Sequence, residues 1–395
     1  MELNGFIIIG AGILAAGVTF FTNWLALIPW RRNRGKHWSE QARLVHPVMV
    51  AARSNLWVVP STLVLTVVLL WPDSSPLWVL TGITAVLGAY AGTIPVDREV
   101  FPRISFRDVL RLSVISILLR FLTWFIFIGA TVFMPDQFNN VAWVIGGTVL
   151  CLWALWQQGG FIWVGRKLGL LLPAPNRLRD IVANTSAKMN IPFRQVLLMR
   201  VPVAQAFAFP SRRQLMFTER LLEIAPDDEI AAICAHELAH LTESTSARYS
   251  RSIVNFTFLP WMFFNPLIHT FGMAAFFGLL FVTLGVPRIY RKFSRKLETR
   301  ADQMAAANEG DEGTYARALS RVYEDNLVPA VTSKNRATHP HLYDRLVAAG
   351  VTPDFPRPAA AKAIAWHGHI FAGLLGLLFA IFAIRLTYPI DFPGN

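Results

Sequence analysis

Apolar runs long enough to cross a bilayer, separated by segments of alternating basic content, constrain this chain more than any other feature. A helix needs about 20 apolar residues to span the hydrocarbon core. Five candidate runs precede the chain's midpoint, at roughly 5–29, 55–71, 76–95, 112–134 and 141–164. The second is short and carries Pro60, which a helix in lipid tolerates where neighbours satisfy the freed carbonyl. An apolar stretch at 252–287 and a last run near 364–386 follow. Hydrophobic residues make up 54% and charged residues 16%, well under the roughly 25% charge of soluble domains, so a soluble two-domain chain is set aside. Met1 to Gly5 lacks the basic region that opens a secretory signal, and the first run is expected as a retained span.

The basic residues orient the spans. Arg31, Arg32, Arg34, Lys36, Arg43 and Arg53 follow the first run; Arg98, Arg103, Arg107 and Arg111 follow the third. The turns at 72–76 and 135–140 carry no Lys or Arg. Basic loops stay cytoplasmic, so the N-terminus is expected outside and Arg166 onward in the cytoplasm. Pro260, Asn265 and Pro266 break the 252–287 stretch, and basic segments flank it on both sides, which predicts a hairpin or a re-entrant pair. The net charge of +12 is spent on these juxtamembrane loops, and nucleic acid is not the expected partner.

The expected organisation is an N-terminal membrane domain of five spans over 1–164, a polar segment over 165–251, a membrane hairpin over 252–287, a second polar segment over 288–362, and a C-terminal span and tail over 363–395. In the first polar segment the apolar spacing of Leu178, Ile181, Val182 and Met189 predicts a helix over 176–190. Short β-type runs follow at 195–200, 204–209 and 214–218, and a second helix at 227–243 opens on Asp227, Asp228 and Glu229, carboxylates that suit a helix N-terminus. The two cysteines, Cys151 and Cys234, imply no disulfide framework and read as small buried hydrophobes.

His236-Glu237-Leu238-Ala239-His240 is an H-E-x-x-H motif on that second helix. A spacing of four puts both imidazoles on one face, close enough to share an ion, with Glu237 beside the open position where water binds. Two imidazoles with a further oxygen ligand suit zinc, which acidifies bound water while a carboxylate takes the proton. Glu298 and Asp302, also four apart, lie beyond the membrane hairpin; one can bind the metal while the other hydrogen-bonds a ligand imidazole.

With these blocks in hand, 176–345 resembles the family of integral-membrane zinc metallopeptidases that includes HtpX and the type I CAAX prenyl protease. The resemblance rests on the order of four blocks: Gln205-Ala206-Phe207-Ala208-Phe209, the H-E-x-x-H helix, Glu298 to Asp302, and His339-Pro340-His341-Leu342-Tyr343-Asp344-Arg345. It implies Glu298 as third zinc ligand and Asp302 as its supporting carboxylate. It further implies His339 as a donor to the developing oxyanion, with Arg345 near the same site. Gln205, Ala206, Phe207 and Ala208 correspond to a strand edge that holds extended substrate, although the family has Asn where this chain has Gln205.

The fold class expected is a mainly α membrane protein with about seven to eight transmembrane helices and a cytoplasmic α+β zincin-like catalytic domain. The expected function is a zinc metalloendopeptidase acting on membrane-associated peptide or protein substrates, with one Zn2+ per chain. Alternatives are a CAAX-type prenyl-protein endopeptidase, which the five preceding spans resemble more than they do HtpX, or a zinc-site sensor or scaffold.

Overall fold

The computed structural model describes residues 2–70, 75–116, 131–247, 259–332 and 341–362, with Leu118, Leu122, Ile126, Phe127, Ala130, Phe256 and Thr257. It divides into two compact units, one of 1–106 with 327–335 and 354–395, the other of 107–326 with 336–353.

The first unit holds three long helices: α1 (Glu2–Ala26), α2 (Trp38–Leu70) and α3 (Ser75–Val100). Gly88 and Gly92, four apart on α3, lie so close to α1 that a β-carbon at either would collide with the backbone of Gly12 or Ala16. That is the small-residue packing by which helices associate without a hydrophobic driving force. The basic segment after the first span, expected as a loop, is helical from Trp38 onward. Its stripe of Val45 and Val48 packs with Leu27, Trp30 and Val96, leaving the arginines on the other faces.

The second unit opens with α4 (Phe106–Ser116), α5 (Asn140–Leu155) and α6 (Phe161–Lys167), the last two joined by a π-turn at Trp156–Gly160. A sheet follows: β1 (Leu171–Pro173), then α7 (Asn176–Met189), β2 (Gln195–Met199), β3 (Ala206–Phe209) and β4 (Gln214–Thr218). Strand order is β1-β2-β4-β3, with β2 and β4 parallel and both outer pairs antiparallel. Strand β1 escaped the sequence reading because three residues ending in Pro173 carry too little alternation, and an edge position tolerates the proline. Side chains alternate across the sheet: Val196, Leu198, Leu215 and Phe217 join the core under the helices, while Leu197, Met199 and Met216 pack with Phe161 and Ile162.

After α8 (Glu219–Ile224) and α9 (Asp227–Leu241) come α10 (Phe264–Phe271), α11 (Met273–Ala306), α12 (Thr314–Asp325) and α13 (Leu342–Ala348). Helix α11 is continuous for 34 residues with Pro287 inside it, so the second limb of the apolar stretch and the helix carrying Glu298 and Asp302 are one element.

The chain is mostly helical, with this small mixed sheet. Among the described residues, four helical segments are long and apolar enough to cross a membrane: Asn4–Ala26, Leu77–Val100, Asn140–Lys167 and Met273–Ala306. Most of the run at 112–134, the start of the 252–287 stretch and all of the last run near 364–386 lie outside the described residues.

Candidate metal centre

Helix α9 is buried on nearly every face, which is why its sequence shows little polar periodicity. It starts after Pro226, with Asp227, Asp228 and Glu229 in the first turn. Alanines 232 and 235 on α9 meet Ala305 of α11 and Tyr315 of α12 in one cluster. Small side chains there let the helices approach closely, so that a short aspartate on α11 reaches a histidine on α9.

Four helices bring their polar groups to this seam. His236 and His240 project from α9, and their Nε2 atoms stand 3.2 Å apart. Glu298 Oε2, from α11, lies 3.6 Å from His236 Nε2 and 3.8 Å from His240 Nε2. All three residues are buried, and together they form a set that can hold a metal ion. An ion bonded tetrahedrally at about 2.0–2.2 Å separates its donors by about 3.3–3.6 Å. The triangle is within a few tenths of an ångström of that.

The far sides of both imidazoles explain why their Nε2 lone pairs face inward. His240 Nδ1 is 2.7 Å from Glu243 Oε1, itself buried. His236 Nδ1 is 2.7 Å from the Tyr315 hydroxyl and 3.1 Å from Asp302 Oδ1. Tyr315 donates to Asp302 Oδ1 at 2.7 Å and accepts from Arg345 Nη2 at 2.8 Å, so it receives the Nδ1–H of His236. Each ring thus carries its proton on Nδ1 and offers Nε2 to the shared centre. Two lone pairs 3.2 Å apart repel unless a proton, as in the metal-free protein, or a metal ion lies between them, and the donor set of two nitrogens and one oxygen fits zinc.

Arg345, on α13, clamps Asp302 with two hydrogen bonds of 2.5 and 2.8 Å; their side chains are 7% and 16% exposed. Helix α12 is held against α9 by a bidentate pair between Arg321 and the buried carboxylate of Glu229, at 2.6 and 2.9 Å. Glu309 accepts from the backbone N–H of Gly313 and Tyr315 and so fixes the start of α12. At the other end, the Asn326 amide exchanges hydrogen bonds with the backbone of Ala204, just ahead of β3. One helix therefore positions both Tyr315 and the edge strand.

Charge at the site follows this wiring. Burial disfavours a proton on His236, but Asp302, Glu298 and Glu237 outweigh it and push its pKa up to about 9. Burial pushes the Tyr315 hydroxyl well above its ordinary range, which keeps it a neutral donor. Cys234 is buried in the core beneath the sheet, where burial raises its thiol pKa well above normal.

Of the residues singled out in the sequence, His236, His240, Glu298, Asp302 and Arg345 come together, with Glu237 buried on the same helix. Strand β3 packs along α9, with Ala206 and Ala208 toward the helix core and Phe207 toward the opposite core; Gln205 precedes the strand. Arg345 reaches the metal ligands through Asp302 and Tyr315. His339 lies outside the described residues. Sequence reasoning missed Tyr315 and Glu243. Glu243 stands three residues after His240, a same-face spacing that was there to be read; Tyr315 sits 79 positions from His236, with no motif to mark it.

Residues 174–350 match the sequence model of peptidase family M48. Through this segment the chain is similar to peptidase family M48. Similar proteins include the protease HtpX homologue of Nostoc punctiforme, 30% identical over 168 residues, covering 38% of this chain and 57% of that protein. The protease HtpX homologue of Acaryochloris marina is 28% identical over 197 residues, 43% of this chain and 64% of its own. HtpX homologue 1 of Sulfolobus acidocaldarius is 27% identical over 218 residues, 49% and 68% respectively. The chain thus spans little more than half the length of the Nostoc relative. The M48 segment contains every ligand of the centre described above.

Proposed function

We propose that this chain is an integral-membrane zinc metalloendopeptidase that hydrolyses peptide bonds of membrane-associated proteins. The observation that carries the proposal is the buried triangle of His236, His240 and Glu298 inside an M48 segment, with Glu237 between the two histidines in sequence. Bound zinc supplies a Lewis acid and water with a pKa near 7.

Glu237 takes a proton from the attacking water and returns it to the leaving amine nitrogen. The backbone of Gln205, Ala206, Phe207 and Ala208 holds the substrate in extended form by main-chain hydrogen bonds, in the manner of strand addition to a sheet edge. Small side chains at Ala206 and Ala208 suit a strand that must lie close to α9. His339 donates to the developing oxyanion, and Arg345 acts through Asp302, keeping His236 oriented.

Topology follows from the basic loops: seven to eight crossings, the N-terminus outside and the active site on the cytoplasmic side. Helix α11 runs from an apolar stretch through a basic one to Glu298 without interruption, which supports a catalytic centre within a few turns of the bilayer. The relatives bear the name of protease HtpX homologues and not of prenyl proteases, which supports a general membrane endopeptidase over a CAAX-type enzyme.

Glu237→Gln in the full chain tests the reading. Cleavage of an unfolded membrane protein is expected to fall at least about 1,000-fold, the scale of losing the general base together with its charge, while one zinc per chain is retained. Undiminished cleavage by the variant would end the proposal. A farnesylated CAAX peptide run in parallel distinguishes the two substrate classes.

A further inference from the structure

A polar cavity shares no lining residue with the metal centre, and the proposed reaction does not use it. It measures about 490 Å³ and is lined by Gln157 and Gln158 of the π-turn, Arg194 and Gln195 at the start of β2, and Arg212 and Gln214 at the β3–β4 turn. No carboxylate lines it. Arg212 is partly buried, and both that burial and the charge of Arg194 work against its own, so the cavity holds two like charges at close quarters. Among the described residues no ion pair compensates either arginine.

The backbone is shaped to admit this charge. Gly159 adopts φ +149°, and a β-carbon there would stand 3.0 Å from Arg212 Nη2. The positive φ favours glycine there, and the Arg212 guanidinium lies against that bare stretch of backbone. A π-turn interrupts regular helical hydrogen bonding and is frequently found at functional sites. Within the cavity wall, Gln214 donates to Gln195 at 3.0 Å, while its buried Oε1 has no donor among the described residues.

Position along the helix identifies the ligand. The candidate span Asn140–Lys167 has 28 residues with a kink at Gly159, against the about 20 helical residues that cross a hydrocarbon core of about 30 Å. Helix α5, Asn140–Leu155, covers about 24 Å of that core before the turn at Trp156–Gly160. Gln157 and Gln158 on that turn therefore fall near the far edge of the core, with the exposed Trp163 and the basic Arg166 and Lys167 just beyond.

We propose that this cavity seats the phosphate of an anionic phospholipid headgroup, with Arg194 and Arg212 as its charge partners. A headgroup that also carries hydroxyls supplies the donor that Gln214 Oε1 lacks. The site rests on Asn140–Lys167 crossing the bilayer but not on the proteolytic reading, and it docks the sheet that carries β3 onto the membrane surface.

The test is native mass spectrometry of the full chain in neutral detergent, titrated with phosphatidylglycerol, phosphatidylcholine or inorganic phosphate. Wild-type protein is expected to retain one phosphatidylglycerol with at least a tenfold preference over phosphatidylcholine. Arg194→Gln with Arg212→Gln should erase that preference, and Arg212→Lys should keep most of it, all with zinc content unchanged. Equal retention by the double variant and the wild type overturns the proposal. So does inorganic phosphate binding without lipid preference, or loss in the double variant of cleavage of acidic peptides alone. Because lipid retention is read without turnover, an inactive protease leaves this result interpretable.

Discussion

The Tyr315 hydroxyl stands 2.7 Å from His236 Nδ1, buried on a helix 79 residues further along the chain, and hydrogen-bonds Asp302 and Arg345 as well. The orientation of one proposed zinc ligand is thereby set by groups on three other helices, α11, α12 and α13.

Removing that hydroxyl is expected to loosen the metal while leaving the fold. Tyr315→Phe keeps the ring stacked on His236 and the Arg345–Asp302 pair. Zinc affinity should fall about 10–100-fold, the usual cost of losing a group that orients a metal-bound histidine. Competition with a fluorescent chelator measures it, and an unchanged affinity would show that Asp302 alone orients the ring.

Glu243 should matter to His240 in the same way, but with a graded series. Glu243→Gln retains an oxygen acceptor for Nδ1–H, whereas Glu243→Ala removes it. Zinc affinity is expected to fall less than about tenfold for Gln and about 10–100-fold for Ala. Equal losses for the two variants would point to charge, not hydrogen bonding, as what Glu243 contributes.

Breaking the Arg345–Asp302 pair on one side is expected to destabilise the second unit. Both side chains are largely buried, so Arg345→Leu leaves the Asp302 carboxylate with only His236 and Tyr315 as partners, at a cost of up to about 3–5 kcal/mol. Adding Asp302→Asn to it should recover part of that loss. Chemical denaturation of the metal-free protein in detergent reads both values, and a double variant no more stable than the single one would contradict the account.

Metal binding should release a proton. With His236 raised from 6.5 to about 9 in the metal-free protein, the imidazole is charged at neutral pH and zinc must displace that proton. Affinity should rise about tenfold per pH unit up to about 9 and level off above it. In the metal-free protein the same raised pKa contributes stability that is complete below about 6.5 and disappears as pH climbs through about 9. Calorimetry in two buffers of different ionisation enthalpy counts the released protons, and a count of zero at pH 7 would be incompatible with this charge state.

How far the sequence revealed these features depended on whether the signal was local. The α9 motif, helix α7 and strands β2 and β4 were legible because spacing of four, helical apolar periodicity and turn punctuation are properties of adjacent residues. Glu298 and Asp302 were found as a pair for the same reason, yet their helix was read as a new element because Pro287 and a basic run resemble a boundary; in the structure α11 passes through both. The amphipathic start of α2 was hidden by its arginines, which drew attention from the buried stripe of Val45 and Val48. Tyr315 was out of reach because its role comes from packing between α9 and α12, set by the Glu229–Arg321 pair.

The most direct measurement is X-ray anomalous scattering at the zinc edge from crystals of the purified full chain. The account predicts one zinc peak, about 2.0–2.2 Å from His236 Nε2, His240 Nε2 and a carboxylate oxygen of Glu298. A peak that excludes Glu298, or a metal bound elsewhere with this triangle empty, would contradict it.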